Sequence, residues 1–170
     1  MGSTMPAQSQ LLGLYHRMTR WPFGHWLFSR AFCFKAPYFG SISPRVVALE
    51  ANRCEATIED RRKVRNHIGT VHAIALCNLA ELCMGAMAEA SIPAGMRWIP
   101  KSMSVQYLKK ARGRMRGVAT PTIPFAVSAT GYELPVQVDV FDPAGERVFC
   151  AEIRLWISAK PPATAPATSS

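Results

Sequence analysis

The sequence predicts an α+β fold of an antiparallel sheet and one long central helix, and three observations predict it. Val71 to Ala90 is mostly Ala, Leu, Ile, Met and Cys, good helix formers or small apolar fillers, and is apolar on nearly every face. Segments on either side of it alternate apolar and polar residues with the period of two that marks half-buried strands. A chain of 170 residues that is 49% hydrophobic buries one good core, and neither a second core nor an internal repeat is visible. A helix apolar all round needs cover on every side, and a curled sheet supplies it.

The elements follow in order. Ser9 to Met18 has apolar residues at positions 11, 12, 14, 15 and 18, a short amphipathic helix that ends before Trp21-Pro22. Trp21 to Tyr38 holds four of the eight Phe, an aromatic extension expected to wrap over the core or touch a membrane. Arg45 to Asp60 reads as a strand, with Cys54, Ala56 and Ile58 alternating against Arg53, Glu55, Thr57 and Glu59. Val47 and Leu49 fall in the opposite phase, which predicts a bulge near Glu50 to Asn52. Beyond the helix, Met103, Val105 and Tyr107 alternate with Ser102, Ser104 and Gln106, and a turn at Arg112-Gly113 opens a strand to about Thr120, broken by Pro121 to Pro124. Leu134 to Phe141 and Arg147 to Ser158 flank Asp142-Pro143-Ala144-Gly145, a strong hairpin signal. Lys160 to Ser170 is a Pro, Ala, Ser and Thr tail expected to be disordered.

Composition excludes several classes. The five Cys, at 33, 54, 77, 83 and 150, are odd in number and lack C-x-x-C spacing, which fits reduced thiols in a cytoplasmic protein better than a disulfide framework or a zinc site. No metal is expected. The N-terminus lacks a basic region followed by a long apolar core, so no signal peptide is expected. The long helix raises the question of a membrane span, but His72, Asn78 and Glu81 argue against it, since an acid near mid-span costs about 2.5 to 3.5 kcal/mol to insert.

Those polar residues are where chemistry is expected. A buried carboxylate must be hydrogen-bonded, shifted toward its protonated form or exposed in a cavity, so Glu81 stands out. Thr70, after Gly69, is the expected N-cap, which puts His72 and Ala73 in the first turn, where free N–H groups and the helix dipole favour a carbonyl oxygen gaining negative charge. His72 and Glu81 are nine residues apart, about half a revolution at 100° per residue, so one copy of the helix cannot easily put both in one site. Two copies packed antiparallel about a twofold axis would.

The run Asn66-x-x-Gly69-Thr70-x-His72-x-x-Ala75-Leu76-x-x-Leu79-Ala80-Glu81 resembles the signature of hotdog-fold thioesterases of the phenylacetyl-CoA thioesterase type, and Arg65 to Glu81 resembles the hotdog-like domain of unknown function 4442. The resemblance extends as a pattern of elements over about Ser41 to Ser158. It implies a hotdog fold with residues 1–40 as an N-terminal helix and aromatic extension packing on the core, 41–158 as the hotdog domain and 159–170 as the tail. It also implies that Asn66, His72 and Glu81 match the family's Asn, His and acid, the acid reaching the thioester from the partner subunit to activate water or attack. Ala73 and Ile74 stand where the family has a Gly-Gly pair. The Ala73 N–H is retained, whereas Ile74 adds bulk, and Glu reaches one methylene further than Asp.

Charge adds a second clue. The net charge is +9, and residues 101–116 hold Lys101, Lys109, Lys110, Arg112, Arg114 and Arg116 without an acid. The plain reading is a solvated hairpin tip; in a thioesterase such a tip meets the phosphates of coenzyme A. Nucleic acid is not expected as a partner, because Tyr107 is the patch's single aromatic and no RNA motif is present. Arg61, Arg62, Lys63 and Arg65 form a second cluster that adds to the same mouth or contacts anionic lipid.

Ordinary roles stand beside these. His72 is able to cap backbone groups or hold Asn66, Asn66 to shape its turn, and Asn78 to hydrogen-bond Glu81 one turn away. Cys77, taken as buried, is expected to be inert. The expected function is hydrolysis of an acyl-CoA thioester, with Glu81, Asn66 and His72 catalytic and Gly69, Thr70, Ala73, Asn78, Tyr107, Lys109, Lys110, Arg112 and Arg114 binding substrate. No cofactor is expected apart from coenzyme A as part of the substrate. A homodimer or dimer of dimers is expected, with weak contact to a membrane surface. The alternatives are a non-catalytic acyl-CoA or lipid-binding protein, and a hotdog dehydratase or hydratase, whose spacing the sequence lacks.

Overall fold

The computed structural model describes residues 9–161. Residues 1–8 of the N-terminal extension, and the expected tail from 162 onward, lie outside the described residues. Helix α1 (Gln10–Met18) starts where Ser9 Oγ accepts the Leu12 N–H, and α2 (Gly24–Lys35) follows a tight corner. A Cβ on Gly24 would lie 2.0 Å from the Met18 carbonyl oxygen, so only glycine lets the two helices meet this closely. The expectation of α1 from its spacing holds. Helix α2 escapes such a reading because its inner face (Phe28, Phe32) and outer face (Trp26, Leu27, Phe34) are both apolar, which erases the helical period.

Strands β1 (Arg45–Glu50), β2 (Arg53–Ile58), β3 (Met96–Tyr107), β4 (Met115–Pro121), β5 (Tyr132–Phe141) and β6 (Arg147–Ala159) form one antiparallel sheet in the order β1-β2-β4-β5-β6-β3. Helix α3 (Ala73–Ser91) packs on its inner face, with Leu79, Leu82, Met84 and Met87 in one core with Ile58, Met115, Val138, Ile153 and Leu155. Gly117 lets β4 pass close to α3: its Cβ would sit 3.1 Å from Cys83 Sγ and Leu79 Cγ. A curved sheet around one central helix is the expected hotdog arrangement.

Three local expectations change. The Arg45 to Asp60 segment is a hairpin, not one bulged strand: Glu50 pairs with Arg53, and Asn52 takes φ 64° in the turn between them. Reversal of the chain there produces the phase change, while the actual register shift lies between Val46 and Ala48. Residues 108–114 are not a hairpin tip, because β3 pairs with β6 while β4 pairs with β2 and β5. The expected hairpin at Asp142 to Gly145 is present, with Asp142 Oδ1 accepting the N–H groups of Ala144 and Glu146.

The third concerns α3, which is not buried all round: Ala73, Ile74, Cys77, Glu81, Glu89 and Ser91 are the positions left at least partly open. Cover is missing because the sheet does not close. At one edge Ser29 Oγ accepts the Val46 N–H at 2.9 Å and Tyr15 Oη donates to the Val47 carbonyl at 3.1 Å, so the N-terminal helices cap β1. At the other edge β3 is largely exposed, and among the described residues no strand pairs with its outer side.

Candidate active site

The site is built on the approach to α3. Asn66 organises a turn in which its Oδ1 accepts the N–H groups of Ile68 (3.2 Å) and Thr70 (3.0 Å), while its Nδ2 donates to Thr70 Oγ1 at 2.8 Å. Gly69 permits this turn with φ 74°. A bridge between Arg65 and Val71 closes it, and Arg65 is itself held by Asp60 at 2.7 Å. Asp60 also accepts the Gly113 N–H at 2.9 Å, tying the turn to the β3–β4 connection. The hydrogen bond from Arg65 holds the Asp60 carboxyl below its ordinary range against a smaller opposing effect of burial, and the Gly113 N–H adds to the lowering.

Thr70 is not the N-cap. It is buried and bound by Asn66, because the closed turn ends two residues later than the sequence suggests. His72 caps α3 instead, in extended conformation, with Nδ1 accepting the Ile74 N–H at 3.0 Å. An accepting Nδ1 puts the proton of the neutral ring on Nε2, which is left as an outward donor. The carbonyl of His72 accepts from Ala75 and Leu76, whereas the Ala73 N–H has no protein partner among the described residues.

Beside this helix start lies a cleft of about 170 Å³, lined by His72, Ile74 and Asn78 with Tyr38, Ser41 and Arg65. Asn78 is not a partner of Glu81: its Nδ2 donates to Ser41 Oγ at 3.1 Å. Ser41 spends its own hydrogen on the Tyr38 carbonyl, which fixes the orientation of the amide and leaves buried Asn78 Oδ1 without a partner among the described residues. Tyr38 and Ser41 carry no mark in the sequence that links them to this cleft, since they reach it from 31 or more residues upstream of His72.

Glu81 lines a different cleft, of about 200 Å³, with Met84 and the β3 residues Pro100, Lys101, Ser102 and Met103. Its carboxylate has no hydrogen-bond or ion-pair partner among the described residues, and Lys101 is turned to Glu133 at 2.7 Å. His72 and Glu81 are thus not brought together within one chain. Cys77 is half-exposed rather than buried, with Sγ 3.3 Å from Tyr107 Oη across to β3. This hydrogen bond, aided by partial desolvation, pushes the Tyr107 hydroxyl up to about 12.

The basic run is less free than its local sequence implies. Lys109 pairs with Glu146, Arg114 with Glu59 and Arg116 with Glu55, acids that the fold delivers from other strands and turns. Lys110 and Arg112 are exposed and form no ion pair among the described residues.

Comparison with known proteins agrees with this architecture. A structural-genomics protein of known crystal structure is 41% identical, with the match covering 88% of this chain and 99% of that one at a TM-score of 0.76. A thioesterase family protein from Silicibacter pomeroyi shares the fold at 15% identity over 78% of this chain and 96% of its own, with a TM-score of 0.66. A Bacillus halodurans protein solved with CoA shares it at 20% identity, 61% and 66% coverage and a TM-score of 0.53. No curated protein matches the sequence significantly. The family model for a domain of unknown function, DUF4442, matches residues 24–157, and the chain therefore belongs to that family of hotdog-fold domains.

Proposed function

We propose that the protein is an acyl-CoA thioesterase working in a reducing, cytoplasmic setting as a homodimer, alone or doubled into a dimer of dimers, with each site shared between two subunits. The observation that carries this reading is the placement of a Glu81 carboxylate, unpartnered among the described residues, on the open stripe of α3, beside an edge strand whose outer side pairs with none of them. A second copy meeting that edge covers β3 and brings the α3 start of one subunit toward Glu81 of the other. About 13 Å of helix axis separates His72 from Glu81 within a chain, too far for both to act on one carbonyl.

In the shared site the Ala73 N–H polarises the thioester carbonyl, and the oxyanion that forms faces the positive end of α3. Glu81 of the second subunit takes a proton from the attacking water, or attacks the carbonyl itself to give an anhydride that water then opens; either route releases the CoA thiol and a carboxylic acid. His72 presents Nε2–H to the substrate, and Asn66 keeps the turn that aims the Ala73 N–H. Lys110 and Arg112 meet the CoA phosphates, and Lys109 and Arg114 join by releasing exposed ion pairs that contribute little to stability.

Ile74 favours a second reading, a non-catalytic acyl-CoA-binding protein, because its exposed side chain stands where the thioester must approach. Free thiol release from short, medium and long acyl-CoAs, with wild type and Glu81→Gln in parallel and protein thiols subtracted, decides between them. Turnover that collapses in Glu81→Gln while the fold is kept supports hydrolysis; binding without turnover in both proteins supports the second reading.

A further inference from the structure

Among the described residues, nothing covers the outer face of α2. At 100° per residue, Trp26, Leu27, Arg30 and Phe34 fall within an arc of about 100°, on the side opposite the buried Phe28 and Phe32. Phe34 is 89% exposed, and the corner before the helix adds Trp21 and Phe23, the latter 79% exposed. Phe23 holds a left-handed backbone at φ 64°, unusual for a bulky residue, and the close contact at Gly24 makes this corner rigid. The aromatic rings are therefore displayed on α2 and on the tight corner that joins it to α1.

Charge decides what fits such a face. The first 49 residues contain no Asp or Glu; Arg30 lies within the apolar stripe, Arg17 and Arg20 are exposed at the end of α1 and in the corner beside Trp21, and Lys35 is exposed at the end of α2. None of the four is ion-paired among the described residues. Two copies of so basic a face repel each other, and α2 lies at the β1 edge, across the sheet from the open β3 edge. Trp and Phe at the level of lipid headgroups, with Arg and Lys reaching phosphates, is the composition that binds a helix flat on an anionic bilayer.

We infer that the α1–α2 face docks the protein on an anionic lipid surface. Tyr38, four residues beyond Phe34 in the 3-10 turn that follows α2 and 70% exposed, also lines the cleft beside His72, so docking brings the mouth of that cleft to the membrane. An acyl chain leaving or entering the bilayer then has a short path to the site. The inference does not rest on the catalytic reading, because vesicle binding is measured without turnover.

The test is co-sedimentation of the full chain with vesicles of phosphatidylcholine alone and of phosphatidylcholine mixed with phosphatidylglycerol. Wild type is expected to bind the anionic vesicles and to be released by added salt. The double variant Trp26→Ser with Phe34→Ser, and separately Arg17→Glu with Arg20→Glu, should each weaken binding by about tenfold or more. Circular dichroism checks that each variant keeps its fold, and the charge-reversal pair carries the test alone if the aromatic pair does not fold. Failure of wild type to bind anionic vesicles, or equal binding by wild type and variants, overturns the inference. So does a fall in oligomeric mass, by light scattering, caused by the aromatic pair, since a second copy would then be the occupant.

Discussion

The Nδ1 atom of His72 accepts the N–H of Ile74 at 3.0 Å, and this leaves the N–H of Ala73 as a donor at the start of α3 without a protein partner among the described residues. In a Gly-Gly relative either N–H is a candidate for the substrate carbonyl. Here the histidine cap engages the Ile74 N–H and leaves the Ala73 N–H as the candidate.

Ala73→Pro tests the donor directly. Ala73 is the first residue of α3, where proline is well tolerated, and the extended backbone of His72 suits a residue before proline. The substitution removes one N–H and little else. Thermal stability should stay within about 1 kcal/mol of wild type, while thioester turnover falls about 10² to 10³-fold. Unchanged turnover in a folded variant would assign the oxyanion to another donor.

Asp60 links the Arg65 turn to Gly113, and its folded carboxyl titrates below the usual carboxylate value. A lowered folded pKa means that the ionised form is the stabilising one. Its contribution is complete above the unfolded value of about 3.9 and disappears as pH falls through the lower folded value. Asp60→Asn should cost about 1 kcal/mol at neutral pH, the scale of a charge-assisted hydrogen bond on a partly exposed pair. Urea titrations of both proteins at descending pH should bring their stabilities together once wild-type Asp60 is protonated. A gap that persists at the lowest pH would mean the linkage acts through packing alone.

Two glycines facing different neighbours should respond with opposite sign. Gly85 is inside α3, and an added Cβ would meet the Trp98 ring at 3.4 Å, an ordinary contact. Gly85→Ala should therefore stabilise by up to about 1 kcal/mol through helix propensity. At Gly117 the added methyl meets Cys83 and Leu79 at 3.1 Å in the core, and Gly117→Ala should cost about 1 to 3 kcal/mol. Chemical denaturation of the pair reads both, and the same sign for both would contradict the close approach of β4 to α3.

Local pattern was enough for the element types. The apolar run after Thr70 forms a helix because nothing in it breaks one, the Asp142 to Gly145 turn joins two alternating segments, and the spacing of Leu11, Leu12, Leu14 and Tyr15 marks α1. It also singled out His72 and Glu81 as polar residues needing a reason, while Asn66 was marked by the resemblance. It failed at α2, where apolar residues on both faces hide the period, and at Ala51-Asn52, where a two-residue turn that contains neither Gly nor Pro looks like a bulge.

What the chain's own sequence determined, then, is which segments are helix or strand and which side chains are chemically unusual, since both depend on neighbours a few residues away. Tertiary structure alone decided the rest. Glu81 is open because β3 pairs with β6 and ends up at a sheet edge, Asn78 turns to Ser41 because the segment before β1 passes the α3 start, and His72 caps the helix because the Asn66 turn closes on Thr70. Four of the six cations in residues 101–116 are paired with acids at positions 55, 59, 133 and 146. Exposure and pairing depend on contacts between residues far apart in the chain, and these are set only when the sheet packs over its helix.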